Sequence, residues 1–71
     1  MTIKQIAKIY NDGECIGFKE NNKNEYYLKK YQGVTYIIVF EKKPNGDEIK
    51  GFFSQDDFIF DEIIKIFNDI E

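Results

Sequence analysis

The run Val34-Thr35-Tyr36-Ile37-Ile38-Val39-Phe40 joins β-branched and aromatic residues without a break. Such side chains suit a pleated surface better than a helix, where branching at Cβ restricts the rotamers. Alternation places Val34, Tyr36, Ile38 and Phe40 on one side and Thr35, Ile37 and Val39 on the other. Both sides are largely apolar, as expected of the central, interior strand of a sheet. After it comes Pro44-Asn45-Gly46-Asp47, where proline presets φ and Asn-Gly accepts positive φ. Glu48-Ile49-Lys50-Gly51-Phe52-Phe53 then reads as the returning strand of a hairpin.

The segments before the run follow the same logic. Glu25 to Tyr31 is a strand tied to the central one by the short link Gln32-Gly33. Glu14 to Lys19 alternates, with Ile16 and Phe18 on one face and Cys15 and Gly17 on the other. Between them Glu20-Asn21-Asn22-Lys23-Asn24 is polar throughout and reads as a loop. In Thr2 to Asn11, Ile3, Ile6, Ala7 and Tyr10 recur at helical spacing, leaving Lys4, Gln5, Lys8 and Asn11 on the wet side. Thr2 and Gln5 have capping-box spacing, and Gly13 suits the stop. The rival reading is a strand from Ile3 to Tyr10 with a turn at Asn11-Asp12-Gly13.

The last segment carries the clearest helical pattern. Ser54 is placed to cap it, Asp56 and Asp57 to favour its dipole, and Ile59, Phe60, Ile63, Ile64, Ile66, Phe67 and Ile70 to form its apolar face. Asp61, Glu62, Lys65, Asn68 and Asp69 fall opposite. Phe58 falls with them: either the helix begins after it and the ring packs within the turn, the reading preferred because large exposed apolar side chains are avoided unless they bind something, or the ring is exposed amid the acids. The elements give an α+β domain in the order α-β-β-β-β-α, with a short N-terminal helix and a C-terminal amphipathic helix expected on one face of a four-stranded antiparallel sheet. The other face would then be open and tyrosine-bearing, with Tyr27 and Tyr31 as candidate contacts.

Seventy-one residues form one domain that buries a modest share of its surface. Seven Phe and five Tyr supply much of the core. The single cysteine excludes an internal disulfide and fits a reduced setting. With no signal-like or membrane-spanning run, a soluble, cytoplasmic protein is expected. Acidity is concentrated at the end: from Ser54 to Glu71 six acids stand against Lys65, net −5, whereas the preceding 53 residues carry nine Lys against seven acids, net +2.

Chemistry finds little footing. Without histidine, Ser-His-Asp and Cys-His arrangements and histidine-ligated zinc cannot be assembled. Cys15 reads as a small buried filler, because no partner base stands with it. Asp57, Asp61 and Glu62 lack the spacing of a calcium loop, and Glu48-Ile49-Lys50 reads as a strand with outward charge rather than as part of a nuclease site. No glycine-rich phosphate loop occurs. No catalytic, cofactor-binding or metal-ligating residue is therefore assigned. Tyr26-Tyr27-Leu28-Lys29-Lys30-Tyr31 mixes rings with lysines as single-strand binders do, but a net charge of −3 opposes direct nucleic-acid binding.

The function expected is that of a non-enzymatic protein-binding module, an accessory or inhibitory protein of a bacterial or phage or mobile-element system. It would dock through the acidic helix (Phe58, Asp61, Glu62, Asp69) or through the tyrosine face (Tyr27, Tyr31), with a basic nucleic-acid-binding protein as the natural partner. A homodimer joined by the open face, or a single-strand binder using Tyr27, Lys29, Lys30 and Tyr31, is the alternative.

Overall fold

A computed structural model describes residues 2–70. The chain runs α1 (Ile3–Asp12), β1 (Glu14–Glu20), β2 (Asn24–Tyr31), β3 (Val34–Glu41), β4 (Glu48–Ser54) and α2 (Phe60–Asp69). The strands form one antiparallel meander in the order β1-β2-β3-β4. The α+β class and the α-β-β-β-β-α order are as the sequence implies, with the Val34–Phe40 run inside the sheet.

Local chemistry accounts for the element ends. Thr2 accepts from the Gln5 amide at 3.3 Å while the Gln5 side chain accepts from the Thr2 amide at 3.0 Å, so the first segment is a capped helix and not a strand. The Gly13 amide closes that helix on the Ile9 carbonyl. The Asn21 side-chain oxygen accepts from the amides of Lys23 and Asn24 at 2.9 and 2.8 Å, forming the β1–β2 turn. Gln32 (φ 51) and Gly33 (φ 78) both take positive φ, the signature of a two-residue type I′ hairpin. In the β3–β4 loop the positive φ falls on Gly46 (φ 120), whose amide donates to the Lys43 carbonyl across Pro44-Asn45.

The placement of the helices differs from expectation: they lie on opposite faces of the sheet, not on one. Phe67 of α2 packs on Tyr26, Ile37 and Val39, flanked by Leu28, Phe53, Phe60, Ile63, Ile64 and Ile70. Tyr10 of α1 instead meets Tyr27 at 5.0 Å and Phe40 at 5.4 Å, side chains whose alternation puts them on the other face. Ile37 and Ile38, adjacent in β3 and pointing oppositely, are both 0 % exposed. A strand apolar on both sides needs cover on both, and two short helices provide it. On α1 the buried residue is Ile9, while Ile3 and Ala7 face solvent. The helical period admits either stripe, and the sheet beneath selects Ile6, Ile9 and Tyr10.

Both edge strands are bulged. Ile16 is the extra residue of β1 between Cys15 (opposite Lys29) and Gly17 (opposite Leu28), and Lys50 that of β4 between Ile49 and Gly51. Bulges twist an edge away from further pairing, which protects an outer strand. The bulge also breaks the expected alternation of β1 and leaves Cys15 exposed rather than buried.

Candidate protein-docking surface

The approach to α2 is built by a turn and not by a helix cap. Asp57 Oδ2 accepts from the Ser54 amide at 2.9 Å, Ser54 Oγ accepts from the Asp56 amide at 3.3 Å, and the Asp57 amide donates to the Ser54 carbonyl at 3.0 Å. These bonds tie Ser54 and Asp57 to each other, so the helix expected from Ser54 begins at Phe60 instead. Ile59, at the cap position, makes no side-chain cap bond. The sixth acid of the acidic segment, Glu71, lies outside the described residues.

Phe58 projects from this turn and is 97 % exposed. The expectation that its ring packs is thus corrected: the helix does start beyond it, but the Ser54–Asp57 turn directs the ring into solvent. Asp61, Glu62 and Asp69 follow on the exposed side of α2. Lys65 sits 3.8 Å from Glu62. Asp61 and Glu62 lie in the first turn, where they complement the helix dipole. Asp69 lies in the last turn, where a negative charge opposes it. Stability therefore accounts for two of these acids and leaves Phe58 and Asp69 without a role in the fold.

Two further residues border this face that the sequence pattern assigned to the core. Ile59 and Ile66 are 39 % and 46 % exposed. They mark the margin of an apolar arc wider than the sheet beneath can cover; the width of that arc was the available signal. Beside them, between α2 and β4, lies a shallow groove of about 270 Å³ walled by Tyr26, Val39, Gly51, Phe53, Ile63 and Ile66.

Tyr27 and Tyr31 are on the other side of the sheet. Tyr27 is half-buried beneath α1, within 5.0 Å of Tyr10, 4.8 Å of Phe18 and 5.6 Å of Phe40 between ring centres. Hydrogen bonding with the Tyr10 hydroxyl, with burial adding to it, raises the Tyr27 pKa well above that of a free tyrosine. Lys29 lies over the Tyr10 ring at 5.0 Å and over Tyr27 at 5.8 Å. Tyr31 is half-buried beside Ile9, Gln32 and Tyr36. The face expected to be open is therefore occupied by α1, which removes the stacking platform imagined for Tyr27. Of the candidate contacts, the structure brings Phe58, Asp61, Glu62 and Asp69 onto one helix and its approach, and separates Tyr27 and Tyr31 from them.

No group of three or more potential metal-ligating side chains occurs among the described residues. No helix among them is long and apolar enough to cross a membrane. Comparison of the chain with protein-family models, with curated proteins and with solved structures finds no match.

Proposed function

We propose that this chain is a small non-enzymatic protein-binding module that docks on a basic surface of a macromolecular partner through the acidic face of α2. The observation that carries the reading is Phe58, a large apolar ring 97 % exposed at the head of that helix. Aromatic anchors ringed by polar groups are the usual centre of a binding surface. Asp61 and Glu62 supply charge beside it, Asp69 extends the acidic face to the other end of α2, Ile59 and Ile66 widen the apolar contact, and the acids set association rate and salt dependence. An accessory or inhibitory role in the cytoplasm of a bacterium, for a phage or mobile element, goes with this reading, the partner's basic groove being one that otherwise binds nucleic acid.

The test compares the tagged wild-type chain with F58A and with D61K/E62K in capture from a nuclease-treated bacterial lysate. A stoichiometric partner held by the wild type, released by raised salt and lost in both variants is the expected result. Equal retention by the variants would overturn the α2 surface. A homodimer is the second reading, favoured by Ile16 and Phe18, which stand 47 % and 44 % exposed along the β1 edge. A sedimentation mass that stays monomeric across concentration rejects it.

A further inference from the structure

A second groove, of about 260 Å³, opens on the other face of the sheet between α1 and the β3–β4 hairpin. Its walls are Tyr10, Tyr27, Phe40 and Ile49, and its rim carries Glu25 and Asp47. The rings stand nearly perpendicular to one another, Tyr10 to Tyr27 at 84° and Tyr27 to Phe40 at 89°. Their centres are too close for a guest to enter between them, so they form one aromatic wall. Such a wall attracts cations, and Lys29 is already seated over Tyr10 and Tyr27.

The rim acids differ from their neighbours. Glu20 holds Lys42 at 2.6 Å, and Lys43 lies 3.6 Å from Glu41 and 3.0 Å from Glu48. Among the described residues Glu25 and Asp47 have no lysine in salt-bridge range, and both stand on the rim of this one groove. Hydrogen bonding with Asp47, with desolvation next and the charges of Asp47 and Glu20 adding, raises the Glu25 pKa, against a lowering by Lys42. Lys42 is near enough to feel both charges but is ion-paired to Glu20, so the two carboxyl groups beside the aromatic wall have no ion-pair partner of their own.

We propose that this groove binds an arginine side chain of a protein partner. A planar guanidinium with donors on several edges can serve both carboxyl groups at once while its face lies on a ring; the point charge of a lysine ammonium satisfies this arrangement less well. The arginine stem would lie along Ile49 and the apolar side of α1. The chain itself contains lysine but no arginine, so a second copy does not supply the guest. The groove is on the opposite face from α2, and this inference stands independently of the docking surface proposed there.

The experiment is a ¹H–¹⁵N titration of the full chain with N-acetyl-arginine methylamide, using the lysine and norleucine analogues as comparisons. Saturable shifts of the Glu25, Tyr27, Phe40, Asp47 and Ile49 amides, in the roughly millimolar range natural to so small a probe, are expected with the arginine compound. The lysine probe is expected to bind several-fold more weakly and the norleucine probe not at all. E25Q/D47N is expected to weaken arginine binding about tenfold or more, as loss of charge-assisted bonds does. D47N alone, on an exposed loop, gives the same direction of change should the double variant fail to fold. Absence of saturable shifts, equal binding by E25Q/D47N or D47N, lysine binding as tight as arginine, or tighter binding of added Ca²⁺ at these residues would each overturn the assignment. So would shifts that follow protein concentration without any probe.

Discussion

Phe58 and Phe67 are the same residue type nine positions apart on one segment, and truncating each to alanine is expected to have opposite consequences. Phe67 is 8 % exposed and packs on Tyr26, Ile37 and Val39. Its ring reaches across to β1, where a Cβ added at Gly17 would stand 3.1 Å from Cζ, and Lys19 Nζ lies 5.0 Å from the ring centre. Truncating a buried Phe costs about 3–5 kcal/mol. A domain of 71 residues at about 0.05–0.15 kcal/mol per residue has about 4–11 kcal/mol in all. F67A is therefore expected to consume about a quarter or more of the stability and to leave a weak fold partly unfolded in buffer. F58A removes a ring that is 97 % exposed, and its effect on folding is expected to stay within about 0.5 kcal/mol. Urea denaturation followed by circular dichroism measures both, since a slope near 1 kcal/mol per M turns the F67A cost into a midpoint fall of about 3 M or more. A loss above about 1 kcal/mol in F58A would show that its ring packs, and would refute the reasoning that frees it for a partner. A loss below that in F67A would show that this ring does not dock α2.

Other consequences are measurable in the same way. Gln32 holds positive φ in the β2–β3 turn, a conformation asparagine or glycine adopts more readily, so Q32N is expected to raise stability by a few tenths to about 1 kcal/mol in urea. Y10F is expected to bring the ionisation of Tyr27 down towards the ordinary tyrosine value in an absorbance titration, because hydrogen bonding with the Tyr10 hydroxyl is the main cause of its rise. Glu25 keeps its proton in the fold to a higher pH than its ordinary 4.5, so the folded state binds more protons than the unfolded chain in that window. Stability contributed at Glu25 therefore falls as pH rises from about 4.5 through the raised value, and is unpenalised below it. E25Q is expected to abolish this fall, so that the variant gains on the wild type between pH 4 and pH 7; a constant difference would mean that the Glu25–Asp47 contact is absent.

Much of this molecule is written locally. The capping pair Thr2 and Gln5, the short link Gln32-Gly33 and the unbroken Val34–Phe40 run each depend on residues within a few positions, and each is where the sequence places it. The acidic candidates on α2 were legible for the same reason, since helical spacing alone collects Asp61, Glu62 and Asp69 on one side. Ser54 misled because a serine followed three residues later by an acid builds a helix cap or an isolated turn with the same bonds. Cys15 misled because alternation assumes an unbroken strand, and the bulge at Ile16 is set by the partner strand.

The sequence by itself determined the four strands, their order, the final helix and its charge, while leaving residues 3–10 open between helix and strand, because propensity, periodicity and turn chemistry act between near neighbours. Only the tertiary structure decided that α1 and α2 cover opposite faces, that Ile9 rather than Ile3 is buried, that Tyr27 is covered while Phe58 is bare, and that Glu25 and Asp47 share the rim of one groove. Those outcomes join residues far apart in the chain. The demand for cover on both sides was already present in the alternation of Ile37 and Ile38, but which helix meets which face depends on how the assembled sheet presents its two surfaces to the connecting chain.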